Sequence, residues 1–194
     1  MKAAMSGFDL RAVARELNAF SGAYVKKAYM PHYEQIVLRI NPKDMDQFDL
    51  VLVRGARIYT SDRDRPMPMT PPPFAMVLRK HLKNARMTGV RQLGFDRVLC
   101  FNFDPKFGQY HLYVEVFRYG NIILTDEQDT IIQPLTHASY AGRTLKKGVT
   151  YQPPPAAMDP HEMELEQLTE MFATSDRDLV STLGGKINLG GTHA

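Results

Sequence analysis

The chain has a single cysteine among 194 residues, Cys100. That excludes an internal disulfide framework, and a lone thiol fits a reducing cytosol. Cys100 lies in the apolar run Val98, Leu99, Cys100, Phe101, where it reads as a small core residue and not a nucleophile. No apolar run approaches the roughly 20 residues of a membrane-spanning helix. Residues 1–10 lack the apolar stretch of a secretory signal, so a cytoplasmic protein with no membrane partner is expected. Catalytic signatures are missing as well. The histidines (His32, His81, His111, His137, His161, His193) are scattered, with no His-x-x-x-His pair or cysteine cluster, so no metal site is predicted. There is no Gly-x-x-x-x-Gly-Lys-Ser/Thr loop and no Gly-x-Ser-x-Gly elbow. Gly184-Gly185-Lys186 closes a helical stretch instead of opening one, which makes a poor phosphate cradle. Asp62 and Asp64 sit in a basic loop and read as partners of arginines. The expectation is a protein that is not an enzyme and carries no small-molecule cofactor.

The hydrophobic fraction of 44% is enough for a buried core, and the length suits one domain or one plus the start of a second. Net charge is only +3, but it is unevenly placed. Residues 54–91 hold nine basic side chains against Asp62 and Asp64, while residues 159–182 hold seven acids against Arg177. A basic middle and an acidic end suggest a polyanion site on the first part, although solvated faces would have the same composition.

A helix should start at Ser6, which can cap it with Asp9 three residues on, and Leu10, Val13, Leu17 and Phe20 form its apolar face. Gly22 is placed to end it. Strand pairs are expected at 24–29 and 35–40 around a Pro31 turn, and at 49–53 and 57–60 around Gly55. Pro66, Pro68, Pro71, Pro72 and Pro73 then form a stiff loop that delivers a second helix over 74–85. On that helix Phe74, Val77, Leu78 and Leu82 face a core, and Arg79, Lys80, Lys83 and Arg86 crowd the other side. Strands resume at 90–93, 97–103, 110–117 and 122–125, with a short one at Ile131 and Ile132. Residues 137–155 read as loop, and a boundary placed there divides the chain into domains 1–155 and 156–194. Beyond it, Asp159-Pro160 should open a helix and Ser175 a second. Their apolar faces would lack partners, which predicts that the natural polypeptide continues past Ala194. The count of elements gives an α+β fold, an antiparallel sandwich or partly open barrel with flanking helices.

Two constellations bear on function. Arg79, Lys80, Lys83 and Arg86, at helical spacing, can neutralise consecutive phosphates, or can be an ordinary solvated face. Asp96-Arg97, between the Gly94 turn and an apolar strand, can accept from and donate to base edges exposed in a single-stranded loop. An internal ion pair is the competing reading. His81, beside Lys80, reads as a partly buried structural histidine more readily than as a phosphate contact.

The string from Ser6 to Val13 followed by Glu16-Leu17 resembles the opening of the NFACT proteins. So do Pro71-Pro72-Pro73-Phe74 through Arg79-Lys80-His81-Leu82, Gly94-Phe95-Asp96-Arg97, Gly120-Asn121-Ile122-Ile123-Leu124 and the stretch 143–155. The ending Ile187-Asn188-Leu189-Gly190-Gly191 looks like the entry to that family's helix-hairpin-helix segment. Several expectations come from the resemblance and not from composition. It implies a first domain similar to the N-terminal domain of formamidopyrimidine-DNA glycosylases, although Met1-Lys2-Ala3 lacks their proline nucleophile. It implies a ribosome quality-control factor whose partners are the large ribosomal subunit and charged tRNA, alanine-charged by expectation. Such factors support alanine-rich tailing of nascent chains without mRNA. The residues that engage tRNA in the family match Asp9, Asp96 and Arg97. Alternatives from other classes are an adhesin that binds fibronectin-like partners, suggested by the family's older name, and a glycosylase-like nucleic-acid-binding module without catalysis.

Overall fold

A computed structural model describes residues 4–140, 142–156, 158–187 and 189. Met1-Lys2-Ala3, His193, and Asn188 and the glycines of the closing motif lie outside the described residues. The chain opens with α1 (Gly7–Asn18), whose Ser6 cap and Asp9 form the anticipated capping box. Leu10, Ala14 and Leu17 are its buried stripe. Gly22 lies beyond the end of the helix, in a turn with φ +97°.

Four strands follow as two hairpins: β1 (Tyr24–His32), β2 (Gln35–Asn41), β3 (Phe48–Val53) and β4 (Arg57–Ser61). Pro31 is not in the turn. It sits inside β1, where the register against β2 slips between Tyr29 and His32, a position that does not need its missing amide hydrogen. After the proline loop comes α2 (Pro73–Leu82), and then β5 (Arg86–Gln92), β6 (Val98–Asp104), β7 (Tyr110–Glu115), β8 (Ile122–Asp126) and β9 (Ile131–Pro134). These nine strands form one antiparallel sheet in the order β4-β3-β2-β1-β5-β6-β7-β8-β9. A small hairpin, β10 (Ala138–Tyr140) with β11 (Arg143–Leu145), occupies the stretch that reads as loop, because three-residue strands are too short to show an alternating pattern.

Period-two alternation divides β6–β8 between two cores. Leu99, Phe101, Phe103, Leu112, Val114, Ile122 and Leu124 join the inward residues of β1–β4 and both first helices in one cluster. Val98, Cys100, Tyr113 and Ile123 face the other way and meet Ile131, Leu145 and Tyr151. The two ends of the sheet thus fold toward one another over a shared core. Their approach is fixed where the Gly55 amide of the β3–β4 turn donates to the Glu115 carbonyl at 3.1 Å.

Three expected helices are placed differently. The second ends at Leu82, not at 85, because Lys83 is extended and Asn84 takes the left-handed conformation (φ +59°). Arg86 therefore stands on β5, off the helical basic face. Asp159 caps only a turn through the His161 and Glu162 amides, and the helix, α3 (Leu165–Ala173), begins at a Glu164–Gln167 capping box. The last helix, α4 (Leu179–Lys186), begins at Asp178 and not at Ser175. No helix among the described residues is long and apolar enough to cross a membrane.

Candidate functional site

The site grows from contact between the first turn of α1 and the turn that leads into β6. Gly7 lies so close to that turn that a Cβ would sit 2.7 Å from the Phe95 carbonyl oxygen. Gln92 ties the two together, donating from Nε2 to the carbonyls of Gly7 (3.0 Å) and Asp96 (2.9 Å). Phe95 is fully buried, with Phe8 edge-on at 4.8 Å and the Arg11 guanidinium 5.3 Å from its ring centre. Arg11 also donates to Gln92 and to the Gly94 carbonyl, and it pairs with Asp159 at 2.6 Å. The segment after residue 158 is thereby fastened to α1 and to the Gly94 turn.

In that turn Gly94 has φ +55° and the Asp96 amide donates to Leu93 at 3.0 Å. An extended chain would send Asp96 and Arg97 to opposite faces; the bend lets both line one cleft of about 620 Å³. Arg118, from the β7–β8 turn, and Lys186, at the end of α4, line it too, with Phe117 and Pro154 as apolar wall. Three cations thus face one acid. Asp96 is only 7% exposed. Arg97 is half-buried and makes no ion pair within 4.0 Å among the described residues, and its Nε is shielded from solvent without a hydrogen-bond acceptor. Burial pushes the guanidinium below its ordinary value, with the Asp96 charge opposing that shift. A donor left in this state is suited to an acceptor brought by a ligand, because an unmet buried hydrogen bond is costly.

The residues singled out in the sequence divide into three groups. Asp96 and Arg97 line the cleft. Asp9 sits on the adjoining turn of α1, where its Oδ2 accepts from the Ser6 amide (2.7 Å) and hydroxyl (2.8 Å), and it is not part of the cleft lining. Of the basic set, Arg79 and Lys83 line a separate groove beside β1, Lys80 is exposed outside it, and Arg86 pairs with Asp104 at 3.5 Å. No motif in the sequence singles out Arg118 for the cleft, and Lys186 ends the Gly184-Gly185-Lys186 run, which closes α4 as expected and yet lines the cleft. Arg118 precedes the Gly120-Asn121 turn by two residues, and that proximity is the one signal the sequence offered. His81 has Tyr110 edge-on at 5.0 Å, and burial together with Lys80 lowers its pKa, which favours a neutral packing residue. No group of three His, Cys, Asp or Glu side chains among the described residues is arranged to hold a metal ion.

Residues 6–194 match the family described as NFACT N-terminal and middle domains. The chain belongs to the NFACT family. Among NFACT relatives, the archaeal Rqc2 homolog aRqcH of Methanocaldococcus jannaschii is 34% identical over 178 residues, covering 89% of this chain and 26% of that protein. Ribosome quality control complex subunit NEMF of Homo sapiens is 36% identical over 181 residues, covering 91% of this chain and 17% of that protein. The chain therefore spans about a quarter of the archaeal relative's length and less of the human one's. Two solved structures share the fold with TM-scores of 0.82. The N-terminal domain of fibronectin-binding protein PavA from Streptococcus pneumoniae is 25% identical, with 96% of this chain and 77% of that one aligned. The N-terminal part of the fibronectin/fibrinogen-binding protein of Streptococcus suis is 30% identical, with 95% and 74% aligned.

Proposed function

We propose that this domain grips tRNA for a cytoplasmic ribosome quality-control factor that engages the large ribosomal subunit and supports alanine-rich tailing of stalled chains. The names of the relatives as ribosome quality control subunits support the setting. The observation that carries the reading is Arg97: a half-buried guanidinium beside Asp96, with an unmet Nε donor, in a cleft rimmed by Arg118 and Lys186. Arginine presents paired donors to a base edge or phosphate, the adjacent carboxylate accepts from base amino groups, and the rim cations answer phosphates. The domain supplies position and no bond-making chemistry of its own. The fold kinship with the N-terminal domain of formamidopyrimidine-DNA glycosylases belongs to the same proposal, as a nucleic-acid-binding frame used without a nucleophile.

The test is fluorescence anisotropy of labelled tRNA against the chain and its Arg97→Ala and Asp96→Ala variants, with circular dichroism to establish folding. Loss of a base-edge contact costs about 1–3 kcal/mol, so binding should weaken roughly 5- to 150-fold. Wild-type affinity in both folded variants refutes the proposal. The fibronectin-binding names of the solved neighbours motivate a parallel measurement on immobilised fibronectin, where no binding is expected.

A further inference from the structure

The groove between β1 and α2 shows a separate feature. It encloses about 320 Å³ and is lined by Lys26, Lys27, Arg79 and Lys83 over an apolar floor that includes Val25 and Leu78, with no acid in its lining. A local irregularity of β1 builds its basic wall. Val25 pairs with Ile40 and Lys27 with Arg39, so Lys26 is an extra residue in a β-bulge. In a regular strand neighbouring side chains alternate between faces; here Lys26 and Lys27 are both exposed, between buried Val25 and Ala28. Arg79 is held from behind: its Nε donates to the Ala28 carbonyl at 2.8 Å and its guanidinium lies 5.3 Å from the centre of the Tyr29 ring. No described hydrogen bond uses its two Nη groups.

Unlike Arg11, Arg39, Arg86 and Arg143, which all have carboxylate partners, Lys26, Lys27, Arg79, Lys80 and Lys83 make no ion pair among the described residues. Compensation of the α2 dipole would account for cations in the last helical turn. It does not account for two lysines turned outward by a bulge in a neighbouring strand. The groove is also remote from the cleft. Val25 and Tyr24 adjoin Arg86 at one end of β5, whereas Arg97 adjoins the other end, where Gln92 pairs with Leu99. Six residue steps separate those ends, about 20 Å at the ordinary strand rise.

We propose that the bulged lysines Lys26 and Lys27, with Arg79 and Lys83, form a second RNA contact that takes consecutive backbone phosphates, one strand length from the Asp96–Arg97 cleft. The inference rests on the RNA-gripping reading but concerns a different surface. Phosphate contacts hold register without reading sequence, so the groove supplies affinity and the cleft selectivity. Lys26 donates to Gln47 at 3.3 Å and Lys27 lies 5.4 Å from the centre of the Tyr29 ring, so neither is spent on a carboxylate. An RNA backbone is the occupant because one tRNA can meet this groove and the Asp96–Arg97 cleft together; a guanidinium pairs with carboxylate as well as with phosphate, and competition by poly-glutamate separates the two.

The experiment measures tRNA affinity across a salt series for the chain, for Lys26→Ala/Lys27→Ala and for Arg97→Ala, with poly-glutamate as a competitor of equal charge. Both lysines are exposed, so the double variant should unfold at the wild-type temperature. Its plot of log affinity against log salt should be shallower by about 1.4–1.8, and low-salt binding several-fold weaker, for any tRNA sequence tried. Arg97→Ala should keep the steep slope. An unchanged slope in the lysine variant, with Arg97→Ala still impaired, overturns the groove and spares the cleft. A shallower slope with Arg97→Ala unimpaired keeps the groove and removes the cleft reading. Absence of tRNA binding at low salt, or poly-glutamate competing as well as RNA, overturns the groove as an RNA site.

Discussion

Replacing Arg143 by methionine tests the polar cluster that fastens the β10–β11 hairpin to the sheet. Arg143 donates to Glu115 Oε1, and the Tyr151 hydroxyl donates to the same oxygen at 3.1 Å. The side chains are 8% and 0% exposed for Arg143 and Glu115, so solvent screening is slight. Glu115 Oε2 has no partner among the described residues, and burial pushes the carboxyl above its ordinary range against the opposing pull of Arg143, Tyr151 and the Asn121 backbone. Removing the guanidinium strands a buried carboxylate, which costs about 3–5 kcal/mol against a total stability of roughly 5–15 kcal/mol. At about 2–4 °C per kcal/mol for a chain of this length, the melting temperature should fall by roughly 6–20 °C. The sign with pH follows from the raised folded pKa. Between the unfolded carboxyl value, about 4.3, and the higher folded value, the folded state holds the proton that the unfolded state has lost, so stability declines as pH rises. Without Arg143 the folded value rises further, so the variant's deficit should shrink on acidification from pH 7 toward that range. Denaturant unfolding at several pH values measures this, and Glu115→Leu combined with Arg143→Met should recover most of the loss, because an apolar pair leaves no charge to strand. A deficit below about 1 kcal/mol at neutral pH, or one that grows on acidification, refutes the reasoning.

Two further outcomes follow from packing and burial. A Cβ on Gly120 would sit 2.2 Å from the Glu115 carbonyl oxygen and 2.8 Å from that of Phe117, so Gly120→Ala should cost at least about 1–3 kcal/mol in thermal unfolding; an unchanged melting temperature contradicts the backbone geometry of the β7–β8 turn. Burial raises the Cys100 thiol to about 11, so native protein at neutral pH should resist iodoacetamide while denatured protein is alkylated at once, as read by intact mass.

The fold was legible where periodicity ran long enough. The capping box and three-to-four spacing found α1, and β2, β3, β6 and β8 were placed within a residue or two of the strands that form. The misplaced boundaries share a cause. Alternation in β5 is broken by a register shift between Met87 and Gly89, so its first half reads as nothing in particular. Helix 74–85 looked continuous because propensity does not register the left-handed Asn84. Asp159 looked like a helix cap because the sequence cannot show that Arg11, 148 positions earlier, holds its carboxylate.

The candidate site was legible to the extent that it was local. Asp96 and Arg97 are adjacent residues beside a turn glycine, and that arrangement alone allowed both to face one cleft. The groove was half legible for the opposite reason. Two of its cations, Arg79 on α2 and Lys83 just past its end, lie at helical spacing and invite notice, but Arg86 shares that spacing and belongs to a strand. A regular strand over 24–29 would send Lys26 and Lys27 to opposite faces, and only the pairing with β2 shows the extra residue. Arg118 and Lys186 are the extreme case, since they reach the cleft only because β7 turns back at Gly120 and because the Arg11–Asp159 pair brings the segment after residue 158 across α1. Charges assembled by long-range closure leave no periodic trace, so a sequence shows the residue that reads a ligand more readily than the cations that surround it.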